Sequence, residues 1–87
     1  MKILRSRGRF YTKTGGAELL YSITDDGIMS IYHTFVPEGQ RGKGIAEKLA
    51  AAAFGFAESS GFRVRPDCPY ILHFLEEHPE FRRLAVA

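Results

Sequence analysis

A mixed α+β fold built on one sheet is predicted by three features of the chain. Two stretches alternate or run apolar between tight-turn signals, Gly15-Gly16 and Asp25-Asp26-Gly27, as strands of a meander do. A helical run from Ile45 to about Ser60 then follows an apolar strand through a glycine-bearing turn, without a break. After Gly61 a short strand-like segment and a second helical spacing complete the chain. The expected architecture is an α/β mixed sheet of about four strands. Three are antiparallel and the fourth lies parallel to the third, with a central helix and C-terminal helices.

The elements follow in order. Residues 1 to 9 set Lys2, Arg5, Arg7 and Arg9 around Ser6 and Gly8 and read as a basic lead-in. It is either frayed in solvent or drawn to an anionic partner. Phe10, Tyr11 and Thr12 suggest a first short strand. Ala17, Leu19, Tyr21 and Ile23 alternate with Glu18, Leu20, Ser22 and Thr24, the period-two pattern of a strand with one strongly apolar face. Asp26-Gly27 returns the chain into Ile28 to Val36, where both faces are largely apolar. That third strand is expected to be central and covered on both sides. Period two puts His33 on one face with Ile31 and Phe35.

The helix, from about Arg41 or Ile45 to Ser60, carries Ile45, Leu49, Ala52, Ala53 and Phe56 as one apolar stripe against the sheet. Gly61 is a plausible C-terminal stop. Phe62 to Arg65 reads as the fourth strand, parallel to the third through a right-handed crossover. Pro66-Asp67-Cys68-Pro69 ends it, and Tyr70, Ile71, Phe74 and Leu75 repeat at helical spacing. Pro79 stops that helix and begins another, from which Phe81 and Leu84 pack back on the core. His78-Pro79-Glu80 is then a corner between helices.

The chemistry concentrates at Gln40-Arg41-Gly42-Lys43-Gly44-Ile45-Ala46. The first N–H groups of a helix lack intrahelical acceptors and lie at the positive end of its dipole, so this segment is a ready anion site. Gly42 and Gly44 let a phosphate approach the backbone closely, and Arg41 and Lys43 add positive charge. A P-loop would need Lys after the second glycine, where Ile45 stands. The dinucleotide fingerprint would need glycine in place of Glu47. A diphosphate cradle remains, beside the plainer alternative of a glycine-rich structural turn.

Arg41, Gly44 and Ala46 occupy the defining positions of the R/Q-x-x-G-x-G/A signature, and the segment resembles that of the GNAT N-acetyltransferase superfamily. A wider resemblance, to the very short single-domain GNAT-like proteins, includes His33-Thr34, Pro66-Asp67-Cys68-Pro69-Tyr70 and His78-Pro79-Glu80, and spans roughly Gly15 to Leu84. It implies transfer of an acetyl group from acetyl-coenzyme A to an amine. The cosubstrate would lie in a splay between the third and fourth strands, held by Val36, Arg41, Gly42, Lys43, Gly44, Ile45 and Ala46. The acceptor amine is not specified. Cys68 and His33 are the implied catalytic residues. From the residues alone, each has a simpler reading: a small buried hydrophobe and a hydrogen-bonded core histidine. A transferring Cys68 is expected to be partly exposed, next to a helix start that favours thiolate, while Asp67 opposes it by charge. The chain is shorter than ordinary GNAT enzymes, and no Glu on the third or fourth strand presents itself as general base. A non-catalytic coenzyme A binding module and a small interaction domain using its basic N-terminus are the alternative functions.

Composition bounds these readings. Eighty-seven residues suit a single domain spanning 1 to 87. A hydrophobic content of 45% with 25% charged residues is globular rather than disordered. A net charge of +2 is too small to argue for nucleic acid. One cysteine excludes an internal disulfide framework and a cysteine-rich metal site, so no metal is expected. No apolar run or signal-peptide pattern points to a membrane, and the expected location is cytoplasmic.

Overall fold

In the computed structural model, which describes residues 2–86, the first turn already departs from expectation. Gly8, at φ 84°, closes a two-residue hairpin between strand β1 (Ile3–Ser6) and strand β2 (Arg9–Thr12). The segment expected to be a frayed lead-in is therefore an ordered edge strand; its first residue, Met1, lies outside the described residues, as does Ala87. Tertiary packing gives the reason. Ile3 packs against the core, and the Arg5 guanidinium carbon lies 4.2 Å from the Phe56 ring centroid.

Strand β3 (Glu18–Ile23), strand β4 (Ile28–Phe35), helix α1 (Ile45–Ser60), strand β5 (Arg63–Pro66) and helix α2 (Pro69–Glu77) follow. Short 3-10 helices occupy Glu38–Gln40 and Pro79–Leu84, so the last expected helix is a 3-10 helix. The sheet has five strands in the order β1-β2-β3-β4-β5. The first three pairings are antiparallel and β4–β5 is parallel, as the meander and crossover predict; the added strand is β1. Helix α1 begins at Ile45 rather than Arg41, because Gly42 and Gly44 both hold positive φ ahead of it.

The register of β3 on β4 contains a bulge. Leu20 faces His33, but Tyr21 faces Ile31, so Tyr32 is the extra residue. The bulge reverses the alternation of β4. Thr34, opposite Leu19, points to the core side with Ile31, whereas His33 and Phe35 pair with Leu20 and Glu18 on the other face. His33 thus shares a face with Phe35 but not with Ile31. That outer face is also uncovered: Tyr32, His33 and Phe35 are exposed, so β4 is hydrogen-bonded on both edges yet packed on one side only.

The core lies between the other face and the helices. Ile45, Leu49, Ala50, Ala53, Phe54 and Ala57 are the buried positions of α1. Phe54, rather than Phe56, reaches its centre, because Phe74 of α2 and Phe81 stack against it with centroids at 5.6 and 5.3 Å. Phe56 takes the stripe's edge against Phe10 and Tyr21. Phe54→Ala is expected to cost about 3–5 kcal/mol in urea unfolding. Leu72→Ala, at a position 55% exposed, should stay within about 0.5 kcal/mol. Equal losses for the two variants would contradict the assignment of the core.

Candidate functional site: a groove beside the start of helix α1

The parallel ladder between β4 and β5 stops at Ile31 opposite Pro66. Proline has no N–H to extend it, and Asp67 N–H makes the closing bond to Ile31 O at 3.1 Å. Strand β4 runs on to Phe35, so its last residues have no strand partner on that edge. The two chains part there. Val36, Arg41, Gly42, Gly44, Ala46 and Tyr70 line a groove of about 210 Å³ in the gap, and Ile45 contributes to its wall. An adjoining hollow reaches Thr34 and Phe35.

The groove floor is the start of α1. Gly44 is the N-cap at φ 74°, with no side chain capping the helix. The first helical bond runs from Lys48 N–H to Gly44 O at 3.1 Å, leaving the N–H groups of Ile45, Ala46 and Glu47 without intrahelical acceptors. A Cβ placed on Gly42 or Gly44 meets nothing within 4 Å, so the space over both backbones is open. Arg41 Nε donates to Val36 O at 3.0 Å and ties the loop to the end of β4. Lys43 is exposed on the loop and does not line the groove. Open backbone, uncapped amides and a neighbouring guanidinium fit a diphosphate.

The structure separates the two residues expected to be catalytic. Cys68, the N-cap residue of α2, is 6% exposed rather than partly open, and its thiol donates to Thr34 Oγ1 at 3.5 Å. Its carbonyl accepts the Ile71 and Leu72 amides. His33 lies across the sheet from Thr34, stacked on Phe35 with centroids 6.5 Å apart. Asp67 is turned away from the thiol by its own partners. Ser30 Oγ donates to its carboxylate at 2.5 Å and Arg65 Nε at 2.7 Å, and these bonds lower its pKa.

Two residues at the groove, both within segments that carry the family resemblance, are missing from the expected site set. Thr34 is turned inward by the bulge. Tyr70 follows the Pro66 to Pro69 turn as the second residue of α2, and its position there is the one sequence signal that could have found it. Partial burial, and then the charges of Glu47 and Glu77, raise the Tyr70 pKa and keep the phenol protonated.

Glu47 would oppose an anion at the cradle, but His78 Nε2 holds its carboxylate at 2.9 Å across the molecule. The imidazole stacks on Phe74 at 4.3 Å and approaches Glu80 at 3.6 Å. The bond to Glu47 raises the His78 pKa above 6.5, although desolvation works against it. A raised histidine pKa means the ion pair's contribution is complete below 6.5 and is lost as pH rises through the higher folded value. In an NMR titration of the ring protons, His78 should titrate above free histidine, and Glu47→Gln should bring its midpoint down. An unchanged midpoint would remove the pairing.

Residues 9–84 match the family model described as GCN5-related N-acetyl-transferase. Protein NATD1 of Bos taurus is 38% identical over 79 residues, covering 86% of this chain and 70% of that protein. The Homo sapiens and Gallus gallus NATD1 proteins are each 35% identical over 79 residues, with 86% of this chain covered and 70% and 72% of theirs. The NMR solution structure of a GCN5-like protein from Staphylococcus aureus superposes with a TM-score of 0.80 at 23% identity, covering 99% of this chain and 88% of that one, a likeness of fold. With the signature residues Arg41, Gly44 and Ala46 placed around an uncapped helix start, the chain belongs to the GCN5-related N-acetyltransferase family.

Proposed function

We propose that this protein transfers the acetyl group of acetyl-coenzyme A to an amine, with the diphosphate held by residues 41 to 46. The observation that carries the reading is the uncapped, glycine-opened start of α1 at the base of the gap between β4 and β5. Backbone amides of Gly44, Ile45 and Ala46 supply directed donors, and Arg41 supplies charge. The unpartnered edge of β4 offers its peptide groups to the amide-bearing arm of coenzyme A, in the manner of an added strand.

In the transfer, the amine nitrogen bonds to the thioester carbonyl carbon and the carbon–sulfur bond breaks. The thiolate that leaves must gain a proton, and the amine must lose one. Tyr70, kept protonated and lining the groove, is the proton donor to sulfur. Cys68, one hydrogen bond behind Thr34, serves as a proton carrier rather than as the acyl acceptor, since the residue is only 6% exposed. His33, exposed on the outer face of β4 and stacked on Phe35, which lines the adjoining hollow, takes the proton from the incoming amine.

Calorimetric titration with acetyl-coenzyme A tests the cradle. Gly44→Asp sets a side chain at φ 74° and a negative charge over the open backbone, and should weaken binding by about a hundredfold or more. Arg41→Ala should weaken it about tenfold. Equal affinity of folded Gly44→Asp and the unmodified protein would end the cradle reading. Tyr70→Phe should lower turnover by about a hundredfold without changing affinity. Acetylated Cys68 in a trapped intermediate would reverse the role given to that thiol. Stoichiometric binding with no amine acetylated would leave a non-catalytic coenzyme A binding module.

A further inference from the structure

A cleft of about 720 Å³ lies away from the cradle, over the hairpin turn between β1 and β2. Arg5, Arg7, Tyr21, Ser22, Ile23 and Phe56 form most of its wall. Phe56 comes three turns after Ile45, about 16 Å along the axis of α1, so this cleft and the groove are separate places. No Asp or Glu lines it, and among the described residues neither Arg5 nor Arg7 takes part in an ion pair.

One of the two cations is held in place. The Arg5 guanidinium lies 4.2 Å over the Phe56 ring, and Nη1 donates to Tyr21 Oη at 3.5 Å. Tyr21 Oη in turn donates to Ser6 O at 3.4 Å. A guanidinium carries five N–H donors in a planar fork, so fixing it through its face and one donor leaves the others for a ligand. Arg7 stands exposed at the turn, and among the described residues no side chain pairs with it. Beside these cations the wall is apolar, with the Phe56 ring and Ile23, which is 39% exposed. A strained or frayed basic terminus would not organise its cations in this way.

We infer that this cleft binds an organic oxyanion, a phosphate or carboxylate carried on an apolar or aromatic body. The head group meets Arg5 and Arg7, and the body lies against Phe56 and Ile23. This site is independent of the acetyl-coenzyme A groove.

The test is an amide NMR titration of the whole chain with phenyl phosphate, benzoate and inorganic phosphate. Saturable shifts are expected at residues 5 to 8 and 21 to 23. At least one of the two aromatic anions should bind about fivefold or more tighter than inorganic phosphate. The tighter one identifies the head group. Arg7→Ala, at an exposed turn position, should weaken binding about tenfold while leaving shifts elsewhere unchanged. Arg7→Gln should do the same with the side-chain length kept. Shifts confined to residues 41 to 47, no saturation, equal binding of inorganic phosphate, or full affinity in both Arg7 variants would each overturn the inference. Acetyl-coenzyme A binding is read at residues 41 to 47, so either site can fail alone.

Discussion

The site depends on where two strands stop being hydrogen-bonded. Strand β5 has four residues and ends on a proline, while β4 has eight and carries a bulge at Tyr32 just past the last shared pair. Had the ladder continued, the peptide groups of β4 beyond Ile31 would be satisfied by β5 and the groove would be closed. The parting leaves an edge inside the molecule rather than at its margin. An edge of that kind is open to a ligand, since its peptide donors and acceptors lack a strand partner. Tyr70 and the loop from Pro37 to Gly44 cover this one in part.

The bulge matters as much as the gap. One extra residue exchanges the roles of His33 and Thr34, so the hydroxyl rather than the imidazole looks toward Cys68. It also moves the imidazole of β4 to the uncovered face. The thiol, hydroxyl and phenol therefore lie on the groove side of β4, and the imidazole lies on the other face. Such a division suits a reaction in which one proton must be supplied to sulfur and another removed from nitrogen.

Local signals were readable and tertiary ones were not. Asp26-Gly27, Gly44 and Gly61 mark backbone turns that their own residue types demand, and each stands where the pattern predicts. The glycine-opened helix start was legible for the same reason, since Gly42, Gly44 and Ile45 are near neighbours in sequence. Strand β1 was not, because Ile3 and Leu4 sit among arginines and serine and pair only once β2 is in place. The bulge left no trace in Ile28 to Val36, where both faces carry apolar residues and a register change costs no obvious mismatch. Phe56 fits the Ile45–Leu49 stripe of α1 and Phe54 lies well off it, and only the arrival of Phe74 and Phe81 widens the buried arc to take in Phe54. His78 and Glu47, thirty-one apart in the chain, could not be paired from spacing at all.

The crossover from β4 to β5 gives the groove a thermodynamic character of its own. Hairpins of a few residues close the other joints of the sheet, but the β4–β5 joint is closed by the whole segment from Val36 to Phe62. Loop-closure entropy rises as about (3/2)RT ln n, so this pairing carries the greatest chain-entropy penalty in the sheet. A ligand that spans residues 41 to 46 and the end of β4 bridges that same joint. By mass action it contributes RT ln(1 + [L]/Kd) to the folded state, and it does so at the seam where the chain resists closure most. Occupancy of the groove and integrity of the sheet are thus two readings of one equilibrium.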